Sequence, residues 1–358
     1  MAVLLPGVTA LLALIFAVAL LDQWRERRGG FQLVWAIGMF YFAVASGSET
    51  LAAIAGWNEP LYRTWYLTGA ILTAGWLGLG TCLLLARTRF GYAVALCLFL
   101  AGLFTFLAAR RLSEPAGDAP MLYFIAAGVL AAAVAVETYF QNERWPSLAA
   151  VAVGGATLVG LGLILTVEVP APGYALDPRT SLPTGELFPP SVRLLTPFMN
   201  VTGSLALIMG AVFSAYVFMP KKRVLAYSLN AEQSGDSFLF NLFIAPVAIT
   251  VNFLASLPGA LRALLAGRLH SRVPATILIA AGALVVGGAD TLARLGSTDF
   301  FQLGKLVGVV LLLLGFLVSI EVFREVRVPF TGRVLRAGRQ EAPAQVQREQ
   351  VARPQHSS

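Results

Sequence analysis

The sequence predicts an all-α protein: a polytopic integral membrane helix bundle of about nine transmembrane helices, with one further re-entrant or interfacial segment. Composition is the first ground. Of 358 residues, 57% are hydrophobic and only 13% charged, with mean hydropathy +0.74, whereas soluble domains carry about 25% charged residues. Spacing is the second: apolar runs recur at the ~20-residue length that crosses a ~30 Å hydrocarbon layer. The third is periodicity. The runs lack the apolar-polar alternation of a membrane barrel, and helices satisfy every backbone polar group within the segment.

In chain order the predicted spans are 2–21, 31–55, 65–86, 90–109, 121–140, 148–167, 195–218, 275–293 and 301–323. The first opens MAVLLPGVTALL, with no Lys or Arg ahead of the apolar run, so it lacks the basic start of a cleavable signal and reads as a retained span. DQWRERRGG, WNEPLYR, RTR, RRLSEPAGDAP, QNERWP and PKKR punctuate the runs as loops. The loop 169–193 holds Pro170, Pro172, Pro178, Pro183, Pro189 and Pro190 and is expected to be stiff and extended. Two units follow: a transmembrane domain over 1–323 and a basic cytoplasmic tail over 324–358, whose Gln- and Arg-rich distal part is expected to be disordered.

Orientation follows from where the Lys and Arg residues fall in this chain of net charge +7. With the N-terminus outside, the inner side takes Arg25, Arg27, Arg28, Arg87, Arg89, Arg144, Lys221, Lys222, Arg223, Arg262, Arg268, Arg272 and seven tail arginines, nineteen of the 26 basic residues. The outer side keeps Arg63, Arg110, Arg111, Arg179, Arg193, Arg294 and Lys305. A multi-pass cell-membrane protein with a cytoplasmic C-terminus is expected. The basic excess is a topology signal and argues for anionic lipid at the inner face, not for nucleic acid.

Phe238–Leu257 is uncharged and long enough to span, but Pro246 interrupts it and Pro258-Gly259 stops it. If it crossed, Arg262, Arg268, Arg272 and the tail would lie outside, so 236–272 is expected to re-enter or lie along the cytoplasmic face. Asn241, Ala245, Ala248, Asn252, Ala255 and Gly259 form a stripe suited to close packing. RALLAGRLHSR, which follows, is basic and amphipathic. Glycines at 75, 78 and 80, 154 to 162, 282 to 288, 304 and 308 allow close helix approach.

Ionisable groups inside spans are the candidate functional residues, since a charge in lipid must find a partner. Glu49 (in SGSET), Arg63, Asn200, Thr202, Asp290 and Lys305 all fall in the outer half on this topology. They imply a polar cavity for a small polar or ionic ligand, as in a transporter or ligand-binding bundle. The bland reading is fixed ion pairs in a non-transporting scaffold or accessory subunit. Glu137 and Glu321 fall near the inner interface, and Trp57, Tyr62, Trp65 and Tyr66 read as an outer aromatic belt. No GxSxG, HExxH or strand-borne GxGxxG is present, and two cysteines with two histidines assemble no metal set, so neither an enzyme nor a cofactor is expected. In a background lacking Cys82 and Cys97, cysteine at Ser181 should label from outside and cysteine at Ser357 only after permeabilisation. Labelling of position 357 in intact cells would require an even number of crossings.

Overall fold

The computed structural model describes residues 3–112, 115–140, 144–169, 187–225, 244–266, 269–270, 272–294 and 300–318, with two short strands at 325–327 and 334–337. Ten helices are long and apolar enough to cross a bilayer. They are α1 (Leu4–Arg27), α2 (Gly30–Ala55), α3 (Glu59–Leu84), α4 (Gly91–Ala108), α5 (Ala119–Tyr139), α6 (Trp145–Thr166), α7 (Pro190–Phe218), α8 (Ala245–Leu265), α9 (Arg272–Arg294) and α10 (Phe301–Val318). Strands β1 (Glu325–Arg327) and β2 (Val334–Ala337) pair antiparallel in the tail. The predicted extended loop over 170–186, Glu321, the stretch before Ile244 and the distal tail lie outside the described residues.

Helix ends depart from the apolar runs where capping chemistry extends them. Asn58 caps α3, its side chain accepting from Leu61 N at 3.0 Å, so the helix starts ahead of the apolar run. The Pro189-Pro190 pair, expected to belong to the extended loop, instead opens α7: proline's fixed φ suits the first turn, where no N–H partner is needed. α1 runs on to Arg27 and closes on Arg28 in the left-handed region, φ 54°.

Side-chain contacts align the helix ends. At one end Trp145 Nε1 donates to Ala86 O at 3.0 Å, Thr138 lies against Gly91, and the Phe90 and Phe213 rings are 5.6 Å apart. There too Trp35 lies against Gly80 and meets Phe316 at 4.8 Å. Arg25, Arg27, Arg28, Arg87, Arg89, Arg144, Lys221, Lys222, Arg223 and Arg272 all flank this end, hereafter the basic end.

α7 is the hub, packing on α3, α4, α5, α6, α8 and α9. A core of α3 to α7 residues, including Tyr62, Phe90, Trp145 and Phe198, fills one lobe. A second, with Phe16, Trp35, Met39, Ile279 and Phe316, joins α1, α2, α9 and α10 to Leu77 of α3 and Leu207 of α7. The α3–α7 crossing is backbone on backbone: a Cβ on Gly78 would lie 2.6 Å from Gly203 Cα, and one on Gly203 would strike Ala74 O. The α9–α10 crossing repeats the device, a Cβ on Gly282 meeting Gly308 O at 2.8 Å and one on Gly315 meeting Ala275 O at 2.7 Å.

α8 is long enough to span, yet it does not traverse the bundle. His270 stacks on Phe218 at 5.0 Å, the Arg272 guanidinium lies 4.2 Å over the same ring, and Val273 is buried with Tyr216, Met219 and Ala260. α9 therefore begins where α7 ends, and the segment between them returns to the side it left. Ile249 and Phe253 pack on the same cluster as Ala260 and Val273, and Ile249 also reaches the α3–α7 core, so α8 packs at the basic end. The buried stripe of α8 is Ala248, Asn252, Ser256 and Ala260, whereas Ala255 is half-buried and Gly259 exposed. The expected stripe is thus rotated by one residue in its second half, because Ser256 holds a backbone partner that Ala255 cannot. Replacing Gly203 with Leu should destabilise the protein in detergent melts by about 3 kcal/mol, whereas Gly155→Leu, with open space at its Cβ, should lose no more than about 0.5 kcal/mol.

Candidate functional site

Glu49 and Lys305 form a buried ion pair, Lys305 Nζ donating to Glu49 Oε2 between α2 and α10. The residues are 5% and 7% exposed, so the pair is shut away from bulk solvent. Two further donors complete the carboxylate: Trp65 Nε1 at 2.8 Å to Oε1, and Gln302 Nε2 at 3.0 Å to Oε2. The ammonium also lies 4.7 Å over the Phe301 ring. Gln302 sits one turn before Lys305 on α10, which is why both reach the same carboxylate. Its Oε1 is buried and has no hydrogen-bond partner.

Trp65 owes its aim to a backbone irregularity. Directly after it, α3 changes to π-helix over Tyr66–Leu72, and Thr73 Oγ1 donates to Thr68 O at 2.7 Å across the wider turn. At this register Trp65 faces α2 while Tyr66 faces α7, its hydroxyl accepting from Thr196 Oγ1 at 3.1 Å. The expected aromatic belt is therefore mostly internal. Tyr62 and Tyr66 are buried, and Phe188 stacks on Tyr62 at 5.2 Å. The early start of α3 and the approach of Phe188, at the entry to α7, put these rings inside the fold.

The six residues expected to share a cavity do not all gather in one cluster. Arg63 does not join Glu49: it pairs with Glu59 one turn away, at 2.6 Å, and donates to Ile164 O and to Val167 O, the latter at 2.7 Å. It caps the carbonyl end of α6, where the helix dipole favours a cation. Thr202 turns back on Phe198 O at 2.8 Å, and Asn200 is half-buried on α7. Asp290 is half-buried beside Ala289, against which Gly304 packs; a Cβ on Gly304 would lie 2.5 Å from that of Ala289. Glu49 and Lys305 meet as expected. Gln302 and Trp65 were missed, although Gln302 was open to the helical-spacing rule once Lys305 was singled out.

Elsewhere, Gln32 Nε2 donates to Gln23 Oε1 at 3.2 Å in a buried amide pair joining α1 and α2 at the basic end. Half-buried Glu137 has one buried carboxylate oxygen without a hydrogen-bond partner. Cys82 and Cys97 are buried free thiols. Among the described residues no cluster of His, Cys, Asp and Glu could hold a metal ion.

The fold and this site define a helical membrane bundle with a closed, charge-paired polar cluster between α2, α3 and α10. No protein-family model, curated protein or solved structure matches the chain.

The site should behave as a coupled pair. Lys305→Met strands Glu49 and should destabilise the protein by about 3–5 kcal/mol. Adding Glu49→Gln should recover at least half of that loss, while adding Asp290→Asn should not. Melts of the purified protein in detergent read the difference, and strictly additive losses for Lys305 and Glu49 would show that the two are energetically independent.

Proposed function

We propose that this chain is a multi-pass cell-membrane protein that binds a small polar solute at the Glu49–Lys305 cluster, with its N-terminus outside and its basic end in the cytoplasm. The orientation rests on the gathering of basic residues at one end of the bundle. The ligand reading rests on one observation: a buried carboxylate and ammonium pair with each other while the neighbouring Gln302 Oε1 has no donor. A carboxylate, an ammonium and an indole N–H set side by side can each exchange an internal partner for a group on a solute, and the amide oxygen beside them can accept from such a group directly. Internal pairing then represents the solute-free, closed arrangement. The adjoining π-helical turn is a second support, because such turns are frequent at functional sites and give a helix a position at which to change register.

A second reading has its own observation. With both ions at most 7% exposed, the pair also suits a permanent fastener between α2 and α10 in a membrane scaffold. Thermal-shift measurements on the purified protein with zwitterionic amino acids, simple ammonium ions and small carboxylates separate the two. A binding site predicts that one class raises the melting temperature, that Glu49→Gln and Lys305→Met each abolish the response, and that Arg63→Gln preserves it. Binding should also alter that part of the tryptophan fluorescence which Trp65→Phe removes. A response that survives both Glu49→Gln and Lys305→Met would place binding elsewhere, and no response to any class favours the fastener.

A further inference from the structure

Glu49 and Lys305 are neutral as a unit, and that balance restricts which solute can take the place of either one. Both residues are at most 7% exposed, so a charge left without a counter-charge at the cluster has no water to screen it. A simple ammonium ion that drew Glu49 away would strand Lys305, and a simple carboxylate that drew Lys305 away would strand Glu49. A neutral polyol brings neither counter-charge. A zwitterion brings both: its ammonium faces Glu49, its carboxylate faces Lys305, and the sum of charge stays at zero.

The hydrogen-bond supply matches the same solute. Glu49 Oε2 accepts from both Lys305 Nζ and Gln302 Nε2, while Oε1 accepts from Trp65 Nε1. Gln302 Oε1, buried and without a donor, is therefore one amide group away from the carboxylate oxygen that Lys305 occupies. An ammonium entering there has two acceptors for its N–H groups, Glu49 Oε2 and Gln302 Oε1. Lys305, displaced from Oε2, has three N–H groups to offer a carboxylate. Because α2 and α10 already hold the two side-chain charges in contact, the solute whose own charges lie nearest together needs the least separation of the helices. That solute carries both charges on one carbon.

We propose that the solute of the Glu49–Lys305 cluster is an α-amino acid zwitterion, its ammonium held by Glu49 and Gln302 Oε1 and its carboxylate by Lys305. This inference rests on the ligand-binding reading given above and adds to it the charge class of the solute and the role of Gln302. One ion pair is exchanged for two, and the Gln302 amide oxygen gains a donor. Full N-methylation keeps the positive charge and removes every N–H, so a betaine can form both ion pairs yet leaves Gln302 Oε1 unsatisfied.

The test screens the protein amino acids singly by thermal shift of the full-length protein in detergent, then titrates the strongest stabiliser by calorimetry. Its methyl ester, its N-acetyl form and its N,N,N-trimethyl form are titrated beside it. The ester lacks the negative charge and the acetyl form lacks the positive one, so each should bind at least about a hundredfold more weakly, as a stranded buried charge dictates. The trimethyl form should bind about tenfold more weakly, the loss of one hydrogen bond from a charged donor. Gln302→Leu should weaken the parent amino acid by about the same tenfold and leave the trimethyl form unchanged, closing the gap between them. Glu49→Gln combined with Lys305→Met leaves no charge to strand, so this variant should fold and bind none of the four. Binding of the ester or the acetyl form as tight as the parent's, a trimethyl gap that persists in Gln302→Leu, or binding that survives the double variant would each overturn the inference. A response confined to simple ammonium ions or small carboxylates would overturn it and leave a ligand site at the cluster. No response to any of these solutes would remove the ligand site as well and leave the fastener.

Discussion

Lipid gives two apolar helices no reason to associate, since the acyl chains they displace are as apolar as the side chains they gain. What holds this bundle together is therefore close approach. The crossing of α3 and α7 at Gly78 and Gly203 is the contact on which the rest depends, because α7 touches six other helices and α3 bridges both cores. With backbones touching there, the flanking residues interdigitate, and Met199, Leu77 and Leu207 find their places around the crossing. The α9–α10 pair repeats the principle at Gly282, Gly308 and Gly315, and it carries Lys305 into position.

Against that background of dispersion contacts, the Glu49–Lys305 pair is a buried charged contact between helices distant in sequence. Its location follows from the packing: α2 and α10 both belong to the lobe built with α1 and α9, and the π-helical turn in α3 brings Trp65 across from the hub. Burying two charges costs several kcal/mol per ion before pairing restores most of it, so an apolar pair of similar volume would hold the helices at least as well. That cost, together with an amide oxygen left without a donor, is the ground of the proposed ligand-binding role.

α8 meets a different demand. The chain comes back to the end of α7 before α9 begins, and Lys222, Val224 and Leu225 beyond α7 still have backbone groups to satisfy. Asn252 and Ser256 meet that need locally. A true span at this place would have separated the ends of α7 and α9, which instead share the cluster of Tyr216, Met219 and Val273.

Span count, helical class and the gathering of cations at one end were legible in the sequence, because each depends on local properties: run length, charge and the absence of alternation. Phe238–Leu257 was expected not to cross because its flanking arginines weigh on both sides, and its described part, in α8, packs at the basic end. Of the site, Glu49 and Lys305 could be named because a charge inside a span is costly wherever it lies. Which partner each would take was beyond the sequence. Arg63 stood at the same depth as Glu49 and went instead to the carbonyl end of α6, while Trp65, read as a lipid-facing anchor, became a donor to Glu49. Depth is a property of one helix, but pairing depends on how far each helix is rotated about its axis. Rotation was decided only by the glycine crossings, the π-helical turn and the hydrogen bonds of Asn252 and Ser256 on α8, all of them contacts between segments far apart in the chain.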